Sequence, residues 1–175
     1  MRAVQIVEES GPERALALVD LPEPEPSPAL SPGPGVVVDV HAAGVSFPEL
    51  LQTRGQYQLK PPLPFVPGSE VAGVVRSAPA GAAVSAGDRV AAFCGLGGFA
   101  ETAVAPEFFT FPLAPALDFA QGAGLILNYH TAYFALALRA LPARSACGSR
   151  SSSLTVPALP RRAARGPPSP PAWGR

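Results

Sequence analysis

The chain has 175 residues, 47% of them hydrophobic, with 13 basic against 13 acidic side chains, so it can bury one core plus an appendage but is crowded for two full domains. Its 23 prolines and 17 glycines point to a loop-rich, mostly β protein or to a globular part joined to a disordered one. No run reaches the roughly 18 apolar residues of a membrane span, the start MRAVQIVEES is charged too early for a signal peptide, and Cys94 and Cys147 lack CxxC spacing, so a cytoplasmic protein with neither disulfide framework nor zinc knot is expected.

Residues 2–8 and 15–21 are short β-prone runs separated by Ser10, Gly11 and Pro12, the pattern of a hairpin with a loop of several residues. PEPEPSPALSPGPG, residues 22–35, cannot sit inside a sheet, because proline removes ladder donors; it reads as an extended surface connection. In VVVDVHAAGV the residues Val36, Val38 and Val40 share one face and Val37, Asp39 and His41 the other, which predicts a half-buried strand. Ser46 and Glu49 have capping-box spacing and predict a short helix that Gly55 ends. After the rigid loop KPPLPFVPG, residues 60–68, VAGVV from Val71 is a strand whose Gly73 permits close backbone approach. Two further β runs are expected on either side of Gly87 and Asp88, and another after Gly97 and Gly98, so the whole suggests a small barrel or sandwich.

The pattern changes at Asp118. Asp118 and Gln121 give a second capping-box start, and Tyr129, Ala132, Tyr133, Leu136 and Ala137 recur at helical spacing, predicting a helix to about Ala140. Beyond it there is no periodicity and no acidic residue. Six basic against thirteen acidic residues leave −7 up to residue 138, whereas the seven arginines from Arg139 onward give +7. This Arg-, Ser- and Pro-rich tail has too little apolar surface to offset the entropy of ordering and is expected to be disordered. With Trp173 its sole aromatic residue, it is a poor nucleic-acid binder, and nucleic acid is not an expected partner.

Four segments stand in order: AAGVSFPELLQTRGQYQLKPPLPFVPGSEVAGVV at 42–75, GDRV at 87–90, GGFAE at 97–101 and NYHTAYFAL at 128–136. Together they resemble the quinone-oxidoreductase, zeta-crystallin-like branch of the medium-chain dehydrogenases, over residues 1–140. The resemblance implies a GroES-like barrel on the substrate side of a cleft, followed in the family by a Rossmann domain that holds NADPH. A glycine-rich turn at a helix start should receive the cofactor's pyrophosphate, but neither GxGxxG nor a similar run occurs in the chain. The expected division is therefore 1–117 as the GroES-like substrate-side domain, 118–140 as a helical lead-in to a missing nucleotide-binding domain, and 141–175 as a disordered tail.

Where zinc-dependent relatives hold their catalytic metal with cysteine and histidine, this chain has Ser46 and Ser69. A hydroxyl is a poor zinc ligand, so no metal site is expected; Glu70 reads as a brace between loops. The resemblance implies direct hydride transfer from NADPH to a quinone or to the β-carbon of an enone, with Tyr57 and Ser46 on the substrate side and Asn128 and Thr131 toward the nicotinamide. Each has a plainer reading. Ser46 can be a helix cap, Tyr57 a surface aromatic, and Asn128 and Thr131 helix-start residues; His41 and His130 receive no role, and Cys94 reads as a small buried hydrophobe. The resulting expectation is an oxidoreductase-family chain inactive by itself, self-associating through the exposed face of helix 128–140. Its rivals are a non-enzymatic GroES-like binding module and a nucleic-acid-binding appendage built on the tail.

Overall fold

The structure, a computed structural model, describes residues 1–140; the tail from 141, on which the expectation of disorder falls, lies outside the described residues. The N-terminal hairpin forms from β1 (Arg2–Ile6) and β2 (Leu16–Asp20), antiparallel, with Arg2 opposite Asp20, and the connection holds one short helix, α1 (Pro12–Ala15). The main sheet comprises β3 (Gly35–Ala43), β4 (Glu70–Ser77), β5 (Arg89–Phe93), β6 (Thr102–Pro106) and β7 (Thr110–Pro112), in the order β6-β3-β4-β5-β7 and antiparallel throughout. The expected mainly β fold is present as a curled half-barrel, since the edge strands β6 and β7 do not pair. The hairpin docks on this sheet through bridges from Ala3 to Ala100 and from Ile6 to Phe65. Among the described residues there is no parallel sheet of the kind a Rossmann domain needs.

Two expectations need correction. β3 is not half-buried at its start: Val36, Val37 and Val38 are all buried. Val36 and Val38 pack with Val75, Val84 and Val90. On the other side Arg76, hydrogen-bonded to Asp39, Glu23 and Thr102, ties the proline-rich connection over the sheet, and Pro28 presses on Gly35. Alternation of polarity fails there because the connection supplies a second cover. The other correction concerns the stretch before Gly87, which forms no strand; β4 ends at Ser77, and the following loop buries Val84 in the core, with Ala78 packed against it. Gly73 does sit where strands approach: a Cβ there would stand 2.0 Å from the carbonyl oxygen of Asp39.

The chain then turns helical. Helix α3 (Phe119–Ala123) starts on a complete capping box, Asp118 accepting from the Gln121 N–H at 2.7 Å and donating its own N–H to Gln121 Oε1 at 3.0 Å. A π-helical turn (Leu125–Tyr129), α4 (His130–Tyr133) and a second π-helical stretch (Phe134–Ala140) follow. The first part packs onto the sheet: Ile126 joins Ala91 and Leu113, flanked by Leu117, Phe119 and Leu125. In the later part Tyr129, Tyr133 and Leu136 are 68%, 65% and 69% exposed. Between the two lies an apolar groove of about 580 Å³ lined by Phe111, Leu113, Leu117, Leu125, Tyr129 and Tyr133. No helix of the described residues is long and apolar enough to cross a membrane.

Candidate active site

The site is assembled where α2 (Phe47–Gln52), the start of β4 and the π turn at Leu127 meet. Ser46 is the N-cap of α2, and the return half of its capping box is the Ser46 N–H donating to Glu49 Oε2 at 2.9 Å. A capping carboxylate of this kind would ordinarily stay in water. Here Glu49 is buried, and its other oxygen accepts from both the Ser69 N–H, at 3.0 Å, and the Ser69 hydroxyl, at 2.6 Å. Ser46 and Ser69, 23 positions apart, are thus joined through one carboxylate.

Glu70, one residue on, is 1% exposed. Its Oε2 accepts the Leu127 N–H at 2.7 Å and its Oε1 the Asn128 Nδ2 at 3.2 Å. Asn128 Nδ2 also lies 3.4 Å from Ser46 Oγ, as donor. Burial pushes the Glu70 carboxyl above the ordinary carboxylate range; the Leu127 N–H opposes that shift and the charge of Glu49 adds to it. Behind the pair, Cys94 is buried with its thiol 3.4 Å from the carbonyl oxygens of Gly68 and Ser69, and desolvation pushes its pKa up to about 12. It is a packed hydrophobe and no reactive thiolate.

Of the four residues picked from the sequence, the structure brings two together. Ser46 and Asn128 touch. Thr131 lies one turn further along, exposed, its hydroxyl donating to the Leu127 carbonyl. Tyr57 is elsewhere: half-buried beyond the end of α2, it lines a small notch with Glu9, Gln52, Gly55, Lys60 and Phe65. In that notch Gln52 Oε1 is buried without a hydrogen-bond partner. Glu49 and Ser69 were not singled out for the site, although Glu49 was visible as the third residue of the capping box. What hid its second role is that the contact with Ser69 spans 20 positions. His41 stacks on Phe119, the ring centroids 4.4 Å apart, and His130 meets Phe111 edge-on; both rings pack.

The donor set here suits neither zinc nor a pyrophosphate. Both hydroxyls at the zinc-ligand positions are engaged, Ser69 with Glu49 and Ser46 with Asn128, and the nearby thiol keeps its proton. The helix starts are likewise closed to a pyrophosphate, because α2 is capped by Glu49, α3 by Asp118, and the Leu127 N–H by Glu70. An incoming phosphate would meet a carboxylate at each, where anion binding needs free N–H groups.

Comparison with known proteins places this geometry. Residues 32–115 match the alcohol dehydrogenase GroES-like domain. The quinone oxidoreductase of Rattus norvegicus is 41% identical over 142 residues, 78% of this chain and 40% of that protein. A probable oxidoreductase from Mycobacterium abscessus superposes with a TM-score of 0.68 at 50% identity, covering 78% of this chain and 42% of that one. The quinone oxidoreductase of Thermus thermophilus, whose crystal structures include a complex with NADPH, gives 0.63 at 36% identity, over 78% and 40%. The chain spans about two fifths of the length of the curated relatives it matches. With the half-barrel and these matches in agreement, the chain belongs to the medium-chain dehydrogenase/reductase superfamily as a quinone oxidoreductase-like protein.

Proposed function

We propose that these residues form the substrate-side part of an NADPH-dependent, zinc-independent reductase of quinones or enones, working in the cytoplasm. The observation that carries the reading is the hydrogen bond from Asn128 to Ser46, which unites at one place two sequence segments that carry the family's motifs 82 positions apart. NADPH would supply the hydride. The part of this chain is to orient the acceptor and exclude water around it, with Ser46 and Tyr57 toward the substrate and Asn128 and Thr131 toward the nicotinamide. A quinone or enone is electron-poor enough to need little Lewis-acid help, which accords with hydroxyls at the zinc-ligand positions. The division at 117/118 and 140/141 belongs to the same reading, as does inactivity of these 175 residues by themselves, in which no GxGxxG or similar run occurs.

One observation favours the rival reading of a non-enzymatic binding module: Phe119, Leu125 and Ile126 pack onto the sheet, so half of the helical lead-in is covered without a second domain. The exposed Tyr129, Tyr133 and Leu136 favour the reductase reading, in which a further surface covers them or, without it, a second copy of the chain does.

Two titrations of the 175-residue chain test the proposal. With 2-cyclohexenone as a probe, amide resonance shifts are expected at Val45, Ser46 and Asn128; shifts confined to other surfaces would refute the placement of the site. NADPH is expected to bind weakly or not at all. A dissociation constant in the low micromolar range, about −8 kcal/mol, would overturn the account of the missing cradle.

A further inference from the structure

Glu70 touches the helical segment because of what is absent beside it. A Cβ at Gly44 would stand 2.6 Å from Glu70 Cγ and 2.5 Å from the Ala123 carbonyl oxygen, so only glycine there lets the carboxylate pass between β3 and α3. Gly44 also donates its N–H to the Glu70 carbonyl at 2.9 Å. Both carboxylate oxygens then have donors, Leu127 N–H on one and Asn128 Nδ2 on the other.

This arrangement has a polarity. The Asn128 amide carries two N–H donors on one side and an acceptor on the other. Turned the opposite way, its oxygen would face the Glu70 carboxylate, and an acceptor against a buried acceptor is strongly unfavourable. In the observed orientation the amide nitrogen serves Glu70 and Ser46, while the residue as a whole is exposed. The amide oxygen remains for whatever approaches from outside. The geometry points to Glu70 as the positioning residue of this site: it locks Asn128 with its amide oxygen outward, so that the site presents an acceptor to a ligand bearing an N–H or O–H donor. That the ligand is a cofactor rests on the reading above; the lock does not.

The lock is tested on the full chain by NMR of the side-chain amide of Asn128 and by hydrogen exchange at the Leu127 N–H. In the unsubstituted protein, NOEs from the Asn128 side-chain N–H protons to Ser46 Hβ and Glu70 Hγ are expected. Those protons exchanging at the rate of a free amide would overturn the proposal without any variant. In Glu70→Gln the new side chain can still accept from Leu127 but sets an NH₂ against the NH₂ of Asn128; in Asn128→Asp two carboxylates face each other. Each single change should lower protection of the Leu127 N–H by about tenfold or more, as for loss of one buried hydrogen bond. Glu70→Gln combined with Asn128→Asp reverses donor and acceptor and should return that protection to within about twofold of the original. A space-filling role for Glu70 would not depend on polarity, so losses in the double variant that simply add would refute the lock. Failure of the enone titration with the lock intact would instead count against the functional reading alone.

Discussion

The sheet buries Val36, Val38, Val71 and Val90 completely, whereas in the helical segment Tyr129, Tyr133 and Leu136 keep about two thirds of their surface exposed. Both regions are read from apolar periodicity, with a capped start marking the helical one. The difference lies in what each meets. Every strand of the main sheet finds hydrogen-bonded neighbours and apolar contacts within the described residues, while the helical segment finds a sheet for Phe119 to Ile126 but leaves Tyr129, Tyr133 and Leu136 exposed. Regular structure therefore shows that a segment has a stable backbone; only burial shows that its partner is at hand. Glu70 stands at the seam, anchored in β4 and bonded to the first residues of the less covered part.

The largest effect is expected where the finished region is tightest. A methyl at Gly73 would press on the Asp39 carbonyl oxygen from 2.0 Å, and backbone there cannot yield without parting β3 from β4. Gly73→Ala should cost about 4 kcal/mol or leave no cooperative fold, read by urea denaturation. A loss under about 1 kcal/mol would mean that the sheet is as adaptable as the helical segment, and the contrast between them would fail.

A smaller effect tests the seam. The folded chain holds the Glu70 proton to higher pH than an unfolded chain does, since burial raises this carboxyl from its ordinary value of 4.5. Its contribution to stability is therefore complete below that value and lost as pH rises through the raised one. Glu49 is the charged neighbour that adds to the shift; the Cys94 thiol, at about 12, does not ionise in this window. Exposed Glu23, held down by the Arg76 guanidinium, and Glu101, held down by the Arg2 N–H and guanidinium, act with opposite sign and at lower pH. The denaturation midpoint should fall as pH rises above 4.5, and Glu70→Gln should flatten that fall. An unchanged slope would place the titrating proton elsewhere.

Much of this was legible in the sequence, because much of it is local. Capping boxes at Ser46 and Asp118, the close approach at Gly73 and the hairpin of β1 and β2 each depend on residues a few positions apart or on one missing side chain. What eluded reading depends on contacts across the chain. Buried Val37 lies two residues from Asp39, which Arg76 gathers with Glu23 and Thr102, and the run before Gly87 sends Val84 into the core with Ala78 packed against it. In the candidate site the family pattern identified Ser46, Tyr57, Asn128 and Thr131, yet the Glu49 carboxylate that joins Ser46 to Ser69 emerges only when two loops are brought together. Tyr57, in the same motif as Ser46, lies apart from Ser46 and Asn128 in space.

The remaining expectation concerns the exposed stripe and separates folding from association. Tyr133 and Leu136 are about two thirds exposed, and an uncovered apolar surface of a few hundred Å² exceeds what soluble monomers usually tolerate, so the chain is expected to self-associate through it. Tyr133→Lys together with Leu136→Glu should abolish that association. Because neither side chain is buried, stability should change by no more than about 0.5 kcal/mol, and strand content by circular dichroism should stay as it was. Light scattering on both versions reads the association, and denaturation reads the fold. The opposite pair of results, a monomeric chain that the double substitution unfolds, would mean that Tyr133 and Leu136 are held against the barrel in solution. The helical segment would then be as finished as the sheet, and the binding-module reading would replace the reductase one.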